Sequence, residues 1–143
     1  MKPLDEIIED FNSQRDVFNQ FVSRGDDNKE TLLEFLNRFI NIKADLRPYH
    51  TEFAKKWSMF DDKSATAIKF RLAVAMVKGE YKSENPMFEK APTITNAEKY
   101  ASGSPEYKEF INKRYFYKES LTNISDLRED ASEFINQIKM RLK

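Results

Sequence analysis

From Pro105 to Leu142 the chain meets no helix-breaking residue, and its apolar side chains return every seven positions. Tyr107, Arg114, Leu121, Arg128, Ile135 and Leu142 occupy one repeat position, and Phe110, Tyr117, Ile124, Ala131 and Ile138 the other. Five successive heptads of this kind specify one long α-helix with a single packing seam. At about 1.5 Å per residue such a helix is on the order of 50 Å long. The two arginines at seam positions make the seam partly wet, suited to acids on a neighbour or on the first helix. The spacing therefore predicts a self-assembly seam through Tyr107, Phe110, Tyr117, Leu121, Ile124, Ile135 and Ile138, and a homo-oligomer.

The rest of the sequence agrees with an all-α fold, read as an elongated helical bundle. Only 3 glycines and 5 prolines stand among 143 residues, too few for the turns of a many-stranded sheet. Leu4, Ile7, Ile8, Phe11, Phe18, Phe21 and Val22 give a first helix from Pro3 to about Val22, stopped by Gly25. A second helix starts at Asp27 or Asn28, with Asp27 and Glu30 resembling a capping box, and carries Leu32, Leu33, Phe35, Leu36, Phe39, Ile40 and Leu46. Pro48 predicts a kink or break near Arg47, after which Tyr49, Phe53, Trp57 and Phe60 resume the period. Asp62 caps a third helix that ends at Gly79. Residues 81–93 read as a loop. Thr95 and Glu98 form a capping box for a short helix, and Ser104 with Pro105 starts the long one. The organisation expected is one domain, with N-terminal helices over 3–80, the loop, and the short and long helices over 94–143.

Catalytic chemistry finds little material. Cysteine is absent and His50 is the only histidine, so thiolate metal sites and nucleophile–base pairs of the usual kind are not available. The three glycines do not form a phosphate-cradling loop. Glu80-Tyr81-Lys82 has the Glu-x-Lys form of some nucleases but follows a helix end rather than lying on a strand. The expectation is a protein that is not an enzyme and needs no cofactor or metal. The N-terminus lacks the apolar segment of a signal peptide, and there is no run of about 18 apolar residues to span a membrane, so a cytoplasmic protein is expected.

Formal charge sums to zero, from 24 basic and 24 acidic residues. The first helix is acidic and the middle of the chain basic, so any anionic polymer must be met by a local stripe. Two segments could form one. Ile68-Lys69-Phe70-Arg71-Leu72 is followed by Lys78 and Lys82, with Lys63 just upstream. Lys113-Arg114-Tyr115-Phe116-Tyr117-Lys118 interleaves aromatics with cations, a pattern that stacks on unpaired bases. The packing reading, in which these aromatics face a bundle core, is preferred for the second segment.

The first segment resembles the Leu-Lys-Ala-Arg-Leu motif of the recombination mediators of T-even-type phages, the UvsY family, with Gly79 following as the family's glycine does. Phe35-Leu36-Asn37-Arg38, Ile42-Lys43 and Leu46-Arg47 are similar to the family's Trp-Leu-Asn-Lys, Ile-Lys-Lys and Leu-Arg, and Ala97 and Lys99 precede an aromatic-led long helix as they do there. Phe70 stands where the family has a small residue, and Ala73-Val74-Ala75-Met76 differs from its aromatic and acidic continuation. The resemblance implies an oligomeric helical protein that binds single-stranded DNA through Lys69 and Arg71. It implies as partners a RecA-type recombinase, which the protein helps to load, and the single-strand-binding protein that the recombinase replaces. Lys63, Lys78 and Lys82 extend the cationic set, and Phe70 is the nearest ring to stack on a base. The alternative is a non-enzymatic protein–protein module, such as a phage or mobile-element inhibitor docking on a host protein.

Overall fold

The computed structural model describes residues 1–81 and 91–143. Among them are five α-helices and no strand: α1 (Leu4–Ser23), α2 (Lys29–Ser58), α3 (Asp62–Val77), α4 (Ile94–Ser102) and α5 (Pro105–Leu142). The all-α class and the long C-terminal helix are as the periodicity predicts. The expected loop over 81–93 lies mostly outside the described residues.

The chain divides into two compact units, residues 1–54 with 120–143, and residues 55–119. In the first unit, α1, the greater part of α2 and the C-terminal part of α5 bury one aromatic core. Phe11, Phe18, Phe39, Ile7, Leu32, Leu46 and Ile138 are fully enclosed. Phe39 stacks on Phe134 at 4.9 Å with planes 17° apart, and Phe18 meets Phe35, Phe39 and Phe134 edge-on at 5.3, 6.0 and 5.6 Å. Offset and edge-to-face contacts of this kind match the positive ring edge to the negative face.

The second unit holds the end of α2, then α3, α4 and the first turns of α5. Its core is built from Leu72, Ala73, Met76, Ala97 and Ala101, with Ile68, Tyr81, Tyr100 and Tyr107 packed around it. Alanine at three of the five buried positions lets the backbones of α3 and α4 come close. The buried Ser104 ties α4 to α5. Its hydroxyl donates to the Ala101 carbonyl at 2.7 Å and accepts from the Tyr107 N–H at 3.3 Å, capping α5 immediately before Pro105.

Several helix boundaries differ from the expectation, each for a local reason. Of the two starts open for α2, Asn28 is the cap and the Asp27 box does not form, because the Asn28 side chain accepts from the Thr31 N–H at 3.0 Å while Asp26 accepts from the Asn28 N–H at 3.1 Å. Asp61, not Asp62, caps α3, accepting from the Ser64 N–H at 2.7 Å. That bond, reinforced by the nearby Lys63 and Arg114 charges, holds the Asp61 carboxyl below its usual 3.8. Thr93, without a side-chain cap, precedes α4, so the Thr95 capping box does not form. Gly25 and Gly79 sit at φ +68° and +72° after α1 and α3, the left-handed geometry of a helix stop.

Pro48 lies inside α2 without ending it. The proline and Ala44, whose carbonyl loses its helical donor there, are both exposed, so the freed acceptor is open to solvent rather than stranded in the core. Of the kink or break expected near Arg47, the break does not occur, since α2 runs from Lys29 to Ser58 as one helix.

Candidate nucleic-acid interface

The zero net charge conceals a division between the two units. Residues 55–119 carry 13 Lys and Arg against 9 Asp and Glu, a net of +4, and the other unit carries the balancing −4. The exposed rings of the basic unit fall on α3 and on the first turns of α5, each with exposed cations beside them, while Lys55 on α2 and Lys99 on α4 are exposed cations away from those rings.

Successive side chains on a helix are 100° apart, so residues seven apart share a face and residues two apart do not. On α3, Lys63, Phe70, Arg71 and the C-capping Lys78 are all exposed, and 61% of Phe70 is open to solvent. Ala67 and Val74 lie between them on the same face. An open depression of about 490 Å³ is lined by Asp62, Lys63, Thr66, Ala67 and Phe70. Lys69 falls on the other side, beside the buried Ala65, Leu72 and Met76, and is half-buried. The structure therefore brings Lys63, Phe70, Arg71 and Lys78 together and separates Lys69 from Arg71. Lys82 lies outside the described residues, and α3 ends at Val77, so the expected stripe does not continue along a helix beyond Lys78.

Two ion pairs tie α3 to α5 in antiparallel order. Arg71 pairs with Glu106 near one end and Arg114 with Asp62, at 2.7 Å, near the other. Arg71 and Glu106 are both more than half exposed, so the pair is weak and exchangeable.

On α5, the aromatics between Lys113 and Lys118 divide. Tyr117 packs on Phe60 at 5.3 Å, as a core-facing ring should, and Phe110 meets the same ring at 4.9 Å. Tyr115 and Phe116 turn outward, with 66% and 59% of their surfaces open. The packing reading thus holds for Tyr117 and fails for its two predecessors. The heptad itself carries the signal, because Tyr115 and Phe116 lie between the seam positions Arg114 and Tyr117. Beside Tyr115, the Arg114 guanidinium lies 5.4 Å and the Lys118 ammonium 5.9 Å from the centre of the Trp57 ring. Lys56 lies 5.5 Å from the centre of the Tyr117 ring.

The positions assigned to self-assembly are used inside the chain. Ile124, Ile135 and Ile138 are buried in the aromatic core of the first unit, Tyr107 packs on the core of the second, and Phe110 and Tyr117 cover Phe60. Leu121 is half-buried. Arg114, expected to meet acids on a neighbour, meets Asp62 and Trp57 of its own chain. A heptad specifies a seam but not whose surface fills it.

Among the described residues no cluster of three or more His, Cys, Asp or Glu is placed to hold a metal, and no helix is long and apolar enough to cross a membrane. No protein-family model, curated protein or solved structure matches the chain.

Proposed function

We propose that this protein is a non-enzymatic accessory factor that binds single-stranded DNA and helps a RecA-type recombinase replace a single-strand-binding protein, in the cytoplasm of a phage-infected cell. The observation that carries the proposal is the coincidence, within one unit of net charge +4, of exposed cations and exposed rings. Cations hold phosphates whatever the sequence, and rings stack on bases only where those bases are unpaired. The likeness of the α3 segment to the UvsY motif supports the same assignment and supplies the recombinase and the single-strand-binding protein as partners. On this reading Lys63, Arg71 and Lys78 contact phosphates and Phe70 contacts a base. Lys69, the family's other cation, has a lesser role because of its place on the helix.

The exposed apolar residues on α3 favour a second reading, in which this helix docks on a protein. Phe70 and Val77 are 61% and 40% exposed, with Ala67 and Val74 on the same face. Exposed apolar side chains grouped on one helix face, with cations at the edge, are also what a protein partner covers.

Fluorescence anisotropy with a labelled oligonucleotide of a few tens of nucleotides separates the two. The DNA reading expects binding at low salt that strongly favours the single strand over the duplex. It also expects Lys63→Glu with Lys78→Glu to abolish retention while helicity is kept. Absence of binding at low salt, or equal binding of duplex, refutes it and leaves the docking reading.

A further inference from the structure

Trp57, the single tryptophan of the chain, lies in the last turn of α2, where α5 surrounds it with Ile111, Arg114, Tyr115 and Lys118. These five residues line a pocket of about 220 Å³. Two of the five are cations, and there is no carboxylate in the lining among the described residues. Arg114 is held in place from outside the pocket by Asp62, at 2.7 Å, and only 25% of its side chain is exposed. Tyr115 forms the open wall, with 66% of its surface in water.

We propose that this pocket is a stacking subsite for one unpaired base of a single-stranded nucleic acid. Tyr115 is the platform, and Lys118 and Arg114 meet the phosphates on either side of the stacked base. The proposal rests on the DNA-binding reading and deepens it, because it names a second contact region besides the exposed face of α3.

Three features specify the ligand. The pocket is smaller than the roughly 300 Å³ at which sites for drug-sized molecules begin, so it takes one flat ring system and not a folded peptide. Its two cations stand beside the Trp57 ring, at 5.4 and 5.9 Å, and next to Tyr115 in the same lining, so a base stacked on Tyr115 has cations within reach of its flanking phosphates. Its lining has two cations and no carboxylate, and only Arg114 is offset, by Asp62 from outside the pocket, so a ligand that is anionic beside the ring is favoured. A nucleotide in a single strand has the flat ring and the adjacent anions, and a duplex keeps its base faces stacked on one another.

The lone tryptophan provides the assay. Trp57 emission and the anisotropy of a labelled thymidine oligonucleotide are followed in one titration of the whole chain. The expected result is saturable quenching of Trp57 over the same concentrations that raise the anisotropy, with no quenching by duplex of equal length. Tyr115→Ala should weaken binding roughly 30-fold, the middle of the range for loss of one base–aromatic stack, and Tyr115→Phe should restore it. Circular dichroism checks that the exposed substitution leaves the helices intact. Strand binding with unchanged Trp57 emission and a neutral Tyr115→Ala overturns the subsite and leaves the DNA reading standing. Equal quenching by duplex overturns the requirement for an unpaired base. If the oligonucleotide binds by neither signal, the DNA reading itself fails and the subsite with it.

Discussion

Removing Lys63 and Lys78 together should change the salt dependence of DNA binding by a calculable amount. Each phosphate neutralised on a single strand contributes about −0.7 to the slope of log affinity against log salt. Lys63, Arg71 and Lys78 are exposed on one face of α3, giving a slope of about −2 if the strand contacts these three alone. Affinity would then fall roughly 20-fold between about 50 and 200 mM salt. A strand that also reaches Lys113, Arg114 and Lys118 steepens the slope to about −4. In either case Lys63→Ala with Lys78→Ala should reduce the steepness by about 1.4, the share of two phosphates. Arg71 must exchange Glu106 for a phosphate. Glu106→Gln should therefore keep the slope and tighten binding a few-fold, since an exposed pair of this kind is worth about 0.2–1 kcal/mol. Anisotropy titrations at four or more salt concentrations measure all three proteins. A double variant with the wild-type slope would mean that the α3 face does not touch the strand, whatever its affinity.

Three further outcomes test the fold. Phe39→Ala removes a fully enclosed ring from contact with Phe11, Phe18 and Phe134, and urea unfolding should show a loss of about 3–5 kcal/mol; a loss under about 2 would mean that the ring cluster is loosely packed. Pro48→Ala restores a helical N–H at an exposed site in α2 and should raise the unfolding free energy by up to about 3 kcal/mol, whereas a decrease would show that Pro48 makes a contact of its own. Asp61 has a carboxyl pKa held below 3.8 by the Ser64 N–H, so its stabilisation of α3 is complete above 3.8 and is lost as the pH falls through the lower folded value; Asp61→Asn should remove that part of the acid dependence, measured by helicity against pH.

Helix existence was legible in the sequence because it rests on period, and α1, α3 and α5 end within a residue or two of where the apolar pattern stops. Caps were less legible, since Asp27 and Asn28, or Asp61 and Asp62, are adjacent residues of equal capping ability. Which one accepts the bond depends on backbone geometry that composition does not carry. Pro48 leaves a kink and a break open in the sequence for a different reason. The cost of an internal proline depends on whether the orphaned carbonyl reaches water, which is a property of the assembled unit and not of the residue. The α3 site was half legible. The run Lys69-Phe70-Arg71 reads as one basic motif along the chain, but 200° separates its two cations on a helix, and Arg71 joins Lys63 and Lys78 instead. Tyr115 and Phe116 could have been placed from the heptad alone, by noticing that neither occupies a seam position.

Zero net charge says little about what this chain can bind. Charges in water interact over about 8 Å at physiological ionic strength, so the field at a surface is set by its immediate neighbours rather than by the molecular total. The basic excess of residues 55–119 is balanced elsewhere, within the −4 of the other unit, where acids line α1 and the stretch of α5 from Asp126 to Glu133. Segregation of this kind gives a locally cationic surface without the non-specific attraction that a highly charged protein exerts on every polyanion. It also makes the exposed rings more decisive. A handful of cations binds duplex and single strand alike, and the preference for unpaired bases has to come from Phe70, Tyr115 and the other rings that a duplex gives no open base to stack on.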